Sequence, residues 1–268
     1  HYNFGNTFIM PDDLSTAPLL DPRKFKNPDV TADGSERAVV GLTHLRTLWF
    51  NTGTLCNLTC QNCYIESSPS NDRLVYLTTG EIEAYLDEIK SEGLKVEEIA
   101  FTGGEPFMNP DIIPMIEISL ERGFEVLVLT NAMKPMHHKK SDLLDLKNRF
   151  GDKLSLRVSI DHHTSAGHEE LRGPDSWHPM MAAGRARWGE GEDEAREAYA
   201  QLFAKAEIGI DTSDPLALVL FPEMDEGLDV PEITVACWDL LGVQPEAMMC
   251  ATSRMIVKRK GAAEPVVT

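Results

Sequence analysis

The sequence is poor in positive charge. It has 25 Lys and Arg residues against 43 Asp and Glu residues, which gives a formal net charge of −18 at pH 7. Proteins that bind nucleic acid contact its phosphates through clustered Lys and Arg. The charge balance therefore argues against a nucleic-acid partner.

Long apolar runs are also missing. No stretch approaches the roughly 18 apolar residues of a membrane span, and residues 1–12 lack the charged-then-apolar layout of a signal peptide. The cysteines are five in number and unevenly spread, which is unlike a disulfide framework and fits a reducing compartment. These features predict a cytoplasmic protein with no membrane partner.

Three of the five cysteines lie within eight residues, in the pattern Cys56-x3-Cys60-x2-Cys63. Thiolates are soft ligands for iron and its sulfides, and no fourth cysteine lies nearby, so a bound iron would keep an open position. A zinc loop and a redox pair are the alternatives. Zinc sites usually show a second ligand pair, and a redox pair would use only Cys60 and Cys63.

The hydrophobic pattern predicts strands that alternate with helices. The predicted strands are 45–50, 99–102, 124–130, 154–160 and 216–221, and the predicted helices are 79–93, 111–122, 141–150 and 193–204. Residues 255–267 read as a β-hairpin. Such an alternation predicts a parallel sheet whose functional loops follow the strand carboxyl ends. Four features occupy that position: the loop of residues 56–64, called here the cysteine loop, the 103–106 turn, Asn131 and Asp161.

The turn Gly103-Gly104-Glu105-Pro106 follows the second predicted strand. Two glycines let the backbone approach a ligand closely, and a carboxylate accepts hydrogen bonds from an ammonium group. An ordinary strand-to-helix turn would use the Gly and Pro residues but would not need the glutamate. The turn therefore favours a ligand-binding role.

The cysteine pattern after the first strand and the Gly-Gly-Glu-Pro turn after the second together resemble the radical S-adenosylmethionine (radical SAM) superfamily. This resemblance implies an α/β fold, a partial (β/α)6 TIM-like barrel. It implies that the three cysteines hold three irons of a [4Fe-4S] cluster, and that SAM chelates the fourth iron. It also implies that Gly103, Gly104 and Glu105 bind the SAM amino group. Family members reduce SAM by one electron to a 5′-deoxyadenosyl radical, which takes a hydrogen atom from the substrate.

Two further segments resemble radical SAM enzymes with C-terminal SPASM or twitch extensions. Residues 158–161, with His168 and Arg172-Gly173 following, are similar to the segment that approaches SAM. Ser159 and Asp161 are therefore candidate SAM contacts, and Asn131, which ends the third strand, is another. Cys250-x10-Gly261 resembles the opening of an auxiliary-cluster domain. The second cysteine is expected near position 266, where Val266 stands, so either further ligands lie beyond residue 268 or Cys250 is a plain thiol.

We expect an N-terminal arm at 1–42, the barrel at 43–245, and the start of a C-terminal hairpin extension at 246–268. The expected substrate is a peptide or protein side chain. The alternatives are a small molecule in cofactor or natural-product biosynthesis, or a non-catalytic iron–sulfur or zinc scaffold. A flavodoxin or ferredoxin is the expected electron donor. No catalytic acid or base is assigned, and the segment 137–140 is interpreted as an exposed helix start.

Overall fold

A computed structural model describes residues 20–181, 192–220 and 229–268. The chain divides into two compact units. The first unit is His1–Gly41 with Met224–Met248, and the second is Leu42–Glu223 with Met249–Thr268. The boundaries of these units differ from those of the three predicted regions, 1–42, 43–245 and 246–268. The three regions stay a prediction.

The second unit is built on a six-stranded sheet with the strand order β4-β3-β2-β1-β5-β6. The strands are β1 Thr47–Asn51, β2 Glu98–Thr102, β3 Glu125–Thr130, β4 Leu154–Val158, β5 Ser253–Val257 and β6 Val266–Val267. All pairs from β4 to β5 are parallel, and β6 pairs antiparallel with β5. The predicted α/β fold with a mostly parallel sheet is confirmed.

The register of the sheet brings the carboxyl ends of β1 to β4 to one edge. Asn51, the last residue of β1, pairs with Thr102, the last residue of β2. In the same way, the last residues of β3 and β4, Thr130 and Val158, pair with each other. β2 and β3 are almost continuous apolar runs and are mostly buried, as expected for parallel strands covered on both faces. The loops that follow the four strands therefore meet at this edge.

Helix α1, Thr79–Ser91, shows how the sequence encodes the crossover between β1 and β2. Thr78 and Glu81 form a capping box at its start: the Thr78 side chain accepts from Glu81 N–H, and the Glu81 side chain accepts from Thr78 N–H. The cap is one residue before the start predicted from the sequence. The predicted apolar face of Ile82, Leu86 and Ile89 is buried.

The other helices of the described residues are α2 Ile112–Glu121, α3 Lys134–His137, α4 Lys140–Phe150, α5 Ser165–Arg172, α6 Trp177–Met181, α7 Glu192–Lys205 and α8 Cys237–Leu241. Buried side chains of α1, α2 and α4 join those of the strands in one core of the second unit. At its centre Phe50 and Phe101 stack with ring centroids 5.9 Å apart. Burying each such side chain contributes roughly 1.5–3 kcal/mol.

The prediction of a fifth strand at 216–221 is wrong for residues 216–220, none of which lies in a strand: residues 216–217 are in a turn and residue 218 is a bend. Residue 221 lies outside the described residues. Asp214 is the cause. Its carbonyl oxygen accepts N–H bonds from Ala217 at 3.0 Å and Leu218 at 2.9 Å. Its side chain accepts from Leu216 N–H at 2.8 Å. These bonds curl the chain into a turn, as Asp commonly does.

The predicted hairpin near the end of the sequence is confirmed as β5 and β6. It belongs to the main sheet, because β5 pairs in parallel with β1 from Thr47↔Ser253 to Phe50↔Ile256. Strands β5 and β6 therefore complete one side of the sheet.

The first unit is organised around the carboxylate of Glu232. It accepts from Phe25 N–H at 2.7 Å, Ala32 N–H at 2.5 Å and Arg37 Nη2 at 2.5 Å. Burial alone would raise the pKa of Glu232, but these donors lower it to about 2. The carboxylate thus ties residues 25–37 to residue 232.

Among the described helices, none combines the length and the apolar character needed to cross a membrane.

Candidate active site

The cysteine loop begins just after β1. Cys56 is buried, and Cys60 and Cys63 are half-buried. Two of the sulfurs accept backbone N–H donors: Leu58 N lies 3.4 Å from Cys56 Sγ, and Ser67 N lies 3.3 Å from Cys63 Sγ. Donors of this kind stabilise sulfur that carries negative charge, as a metal-bound thiolate does.

The protonation of Cys56 depends on what binds it. Burial raises the pKa of the Cys56 thiol to about 11, and the Leu58 N–H opposes this only in part. The thiol is therefore neutral at pH 7 unless a cation draws off its proton, which bound metal does. Cys56 is inert as a nucleophile and suited to ligation.

The Gly103–Glu105 turn lies directly against the start of the cysteine loop. Gly104 N–H donates to the Gly53 carbonyl at 2.9 Å, and Glu105 N–H donates to the Leu55 carbonyl at 3.1 Å. A Cβ added to Gly104 would lie 2.3 Å from Leu55 O, and one added to Gly103 would lie 2.5 Å from Gly53 O. Gly103 also has φ +139°. Both glycines are therefore required by backbone-to-backbone contact.

Glu105 joins this turn to the end of β3. Its side chain is 1% exposed. Oε1 accepts from Thr130 Oγ1 at 2.8 Å and Phe107 N–H at 3.1 Å, and Oε2 accepts from Asn131 N–H at 2.9 Å. Burial raises the pKa of Glu105, and the three donors oppose that rise. A carboxylate offers about four lone pairs, so at least one is left for a ligand donor.

Asn131 links this arrangement to the thiols. Its side-chain Nδ2 lies 3.6 Å from Cys56 Sγ and 3.0 Å from Asn57 Oδ1. Its Oδ1 accepts from Met133 N–H at 3.0 Å. The structure thus brings Cys56, Glu105 and Asn131, three residues selected from the sequence, into one hydrogen-bonded group.

Asp161, after β4, forms a buried ion pair with Arg172. Arg172 Nε lies 2.5 Å from Asp161 Oδ2, and Nη2 lies 3.2 Å from Oδ1. Burial acts to lower the pKa of Arg172, but Asp161 and Cys60 raise it more. The guanidinium is therefore always charged and stands near both Asp161 and the cysteine loop.

His168 holds Asp161 from the other side. The Asp161 N–H donates to His168 Nδ1 at 3.2 Å, and the imidazole ring lies edge-on to Trp177 with centroids 5.5 Å apart. Burial, with the charge of Arg172, lowers the pKa of His168 to about 4. The ring is thus neutral at pH 7 and can accept this bond.

Two predicted site residues lie apart from this group. Ser159 is exposed at the end of β4, and its N–H donates to Thr130 O at 3.0 Å. Cys250 is exposed in the 3₁₀ turn Met249–Ala251, and its carbonyl oxygen accepts from Arg254 Nη1 at 2.6 Å.

Sequence reasoning assigned no role to Arg172 or to Thr130. It could not foresee that α5 docks on the cysteine loop, where Gln61 N–H donates to Leu171 O at 3.0 Å and Gln61 Nε2 donates to Glu170 O at 3.1 Å. The Arg-Gly pair at 172–173 was the available signal. The sequence did not show that Arg172 contacts Asp161, because that contact depends on how α5 folds back over the sheet edge.

The donors of the loop fit the iron–sulfur cluster that the resemblance implies. The loop offers three thiols, N–H donors to sulfur and a nearby guanidinium, which together suit an anionic sulfide cluster. Across the described ranges, no three His, Cys, Asp or Glu side chains are arranged to hold a single metal ion. In a [4Fe-4S] cluster each thiolate binds a different iron, so the sulfurs need not converge on one point.

Comparison with known proteins adds independent findings. The chain is 31% identical over 118 residues to the antilisterial bacteriocin subtilosin biosynthesis protein AlbA of Bacillus subtilis (strain 168), covering 44% of this chain and 25% of that protein. It is 31% identical over 106 residues to the S-adenosylmethionine-dependent nucleotide dehydratase of Selenomonas ruminantium, covering 40% of this chain and 35% of that protein. The matches thus span about a third or less of these relatives.

The fold is similar to the solved structure of native anSMEcpe with bound AdoMet. The TM-score is 0.50 at 16% identity, and the match covers 67% of this chain and 52% of that one. The family model described as Radical SAM superfamily matches residues 50–187, just over half of the chain. This range holds every residue predicted to bind SAM or the [4Fe-4S] cluster, but not Cys250. This chain therefore belongs to the radical SAM superfamily.

Proposed function

We propose that this chain reductively cleaves SAM at a [4Fe-4S] cluster held by Cys56, Cys60 and Cys63, and abstracts hydrogen from a substrate. One observation carries the proposal. The cysteine loop and the Gly103–Glu105 turn lie backbone to backbone at one sheet edge, and Asn131 bonds to both Glu105 and Cys56. The proposed cluster ligands are thus adjacent to hydrogen-bond acceptors for the amino group of SAM.

A [4Fe-4S] cluster bound by the three cysteines would supply the electron that splits SAM into methionine and a 5′-deoxyadenosyl radical. The residues of this chain bind SAM and orient it. The two glycines let the turn pack against the backbone of residues 53–55, which holds Glu105 beside the cysteine loop, and Glu105 has a lone pair for the SAM ammonium. Asn131, Ser159 and Asp161 are the other proposed SAM contacts.

Charge balance supports the same assignment. Three thiolates and a carboxylate in a largely buried site would repel one another, and Arg172 is the buried cation beside them. Asp161 fixes the guanidinium through two hydrogen bonds, and His168 fixes Asp161. We infer that Arg172 offsets the negative charge of the loaded site.

A peptide or protein side chain is the proposed substrate class, since the relative AlbA is named for bacteriocin biosynthesis. The second candidate is a small molecule, since another relative is named as a nucleotide dehydratase. We place the reaction in the cytoplasm, with a flavodoxin or ferredoxin as electron donor. An auxiliary cluster at Cys250 is a further proposal, in which other cysteines would supply the remaining ligands.

Anaerobic reconstitution with iron and sulfide tests the proposal. We expect a brown protein that makes 5′-deoxyadenosine from SAM under dithionite. Four irons per chain would indicate one cluster, and about eight would support an auxiliary cluster at Cys250. A colourless protein with stoichiometric zinc would refute the radical reaction and favour a scaffold.

Cys60→Ala should lose the cluster and all 5′-deoxyadenosine formation, because the remaining two thiols cannot hold it. The matched control is Cys237→Ala, which removes a half-buried thiol that is not proposed as a ligand. Wild-type iron content in Cys60→Ala would contradict the ligand assignment. Adding candidate peptides or nucleotides and following their mass then separates the two substrate classes.

A further inference from the structure

Three short segments of this acidic chain are rich in Lys and Arg, residues 23–26, 258–260 and 134–140. The last of these, residues 134–140, is called here the basic segment. It contains Lys134, Lys139 and Lys140 together with two histidines. The other two segments hold lysines that pair with carboxylates, as Lys24 does with Asp229 at 2.6 Å and Lys258 does with Glu81 at 2.5 Å. Within the ranges that the structure describes, none of the three lysines of the basic segment forms an ion pair.

The basic segment borders a cavity of about 580 Å³ that reaches the cysteine loop. Lys134, His138 and Lys139 line one side of it, and Asn57 and Leu58 of the cysteine loop line another. Lys134 and His138 are exposed, and Lys139 is half-exposed. The carboxylate of Asp175 also lies on the wall. The charge of the lining is nevertheless positive, with two lysines against one aspartate.

The cavity wall lies one residue from a proposed cluster ligand. Asn57 is the neighbour of Cys56 in the chain, and its Oδ1 accepts from Asn131 Nδ2 at 3.0 Å. The same Nδ2 lies 3.6 Å from Cys56 Sγ. A molecule seated on the basic segment would thus be joined to the Cys56 sulfur through two side chains.

We propose that the basic segment and this cavity are the docking surface for an acidic one-electron donor protein of the flavodoxin type. This inference rests on the proposed function. A net charge of −18 repels an acidic partner over most of the surface. A cationic patch therefore favours one orientation, and the faster encounter that such steering gives also lowers the Kd at low salt.

The electron transfer is balanced. The donor's anionic flavin hydroquinone would lose one electron and become the neutral semiquinone, with no proton transferred, and a cluster held at the cysteine loop would gain that one electron. No bond forms between the two proteins. The basic segment only has to hold the flavin edge beside residues 57–58 for the time of the transfer.

Binding is tested first, on the protein as isolated, with an oxidised recombinant flavodoxin in a calorimetric titration. Lys134→Glu/Lys139→Glu should raise the Kd at least about tenfold, because both cations are reversed. The matched control is Lys90→Glu/Lys95→Glu, which makes the same charge change at exposed lysines near the opposite ends of the strands. The control should stay within about twofold of wild type.

The salt dependence of the affinity is a second measurement, and a folding defect in the variant would not reproduce its loss. Wild-type affinity should fall as NaCl rises from about 20 mM to about 300 mM, since screening shortens the reach of exposed charges. The Lys134→Glu/Lys139→Glu variant should lose most of this dependence. An absence of flavodoxin binding by wild type, or equal weakening by both charge-reversal pairs, would overturn the proposal.

The reaction then separates a donor surface from a substrate surface. 5′-Deoxyadenosine is measured without substrate, with either dithionite or flavodoxin and its NADPH-dependent reductase. The Lys134→Glu/Lys139→Glu variant should match wild type with dithionite and lose at least about tenfold with flavodoxin at subsaturating concentration. Equal losses with both reductants, or a defect confined to binding an acidic peptide, would overturn it. If wild type forms no 5′-deoxyadenosine with dithionite, the proposed function fails, while the titration still decides the docking surface.

Discussion

Replacing Gly104 with alanine should separate the two loops of the site. The new Cβ would lie 2.3 Å from Leu55 O, 2.7 Å from Leu55 C and 2.8 Å from Thr54 O, all of them backbone atoms. Reaching a tolerable contact near 3.0 Å requires the two backbones to move apart by about 0.7 Å. The neighbouring hydrogen bond from Glu105 N–H to Leu55 O, now 3.1 Å, would lengthen with that movement.

The magnitude follows from these two terms. Overpacking of this kind costs roughly 1–3 kcal/mol, and weakening one buried backbone hydrogen bond costs about 1 kcal/mol. We therefore expect Gly104→Ala to lower the free energy of unfolding by roughly 2–4 kcal/mol. The shift also displaces the backbone of Glu105, the proposed partner of the SAM ammonium, so SAM affinity should fall together with stability.

Urea unfolding followed by far-ultraviolet circular dichroism measures the first effect, and calorimetric titration of the reconstituted protein with SAM measures the second. Gly80→Ala is the matched control, because a Cβ there meets nothing within 4 Å and the site is in the first turn of α1. It should be neutral or stabilising by up to about 1 kcal/mol. A Gly104→Ala protein with wild-type stability and wild-type SAM affinity would refute the close backbone contact as the reason for glycine.

Two further perturbations test the buried polar group. Asp161→Asn should lower the free energy of unfolding by roughly 3–5 kcal/mol, because Arg172 keeps its charge without its partner. The control is Asp152→Asn, at an exposed ion pair, which should lower it by under about 1 kcal/mol. Equal losses in the two variants would contradict this account. The pKa of His168 lies at about 4, below its ordinary 6.5, so the unfolded chain binds the extra proton and stability should fall as pH drops from 6.5 to 4. His168→Phe should flatten that slope in urea midpoints, and an unchanged slope would assign the proton to another group.

Local pattern predicted much of the fold. The apolar face of Ile82, Leu86 and Ile89 and the buried run of β3 are periodicities that the chain shows without any partner, and both were confirmed. The fifth-strand prediction failed because the run after Pro215 is apolar enough for a strand. The hydrogen bonds of Asp214, one residue earlier, turn it instead.

The candidate site divides in the same way. The spacing of Cys56, Cys60 and Cys63 and the Gly-Gly-Glu turn are chemical features of neighbouring residues, so they were visible in the sequence. The docking of α5 on Gln61 was not visible, because it joins residues far apart in the chain and both acceptors are backbone carbonyls, which carry no sequence signal.

By itself, the sequence predicted which residues would carry the proposed chemistry: three thiols on one loop, a Gly-Gly-Glu turn, and polar residues at or just after the ends of strands. The tertiary structure alone decided their partners. It set Arg172 against Asp161, placed Asn131 between Glu105 and Cys56, and paired β5 with β1. The physical reason is that spacing and periodicity are local properties of a chain, whereas ion pairs, strand pairs and buried hydrogen bonds depend on which distant segments fold onto the same sheet edge.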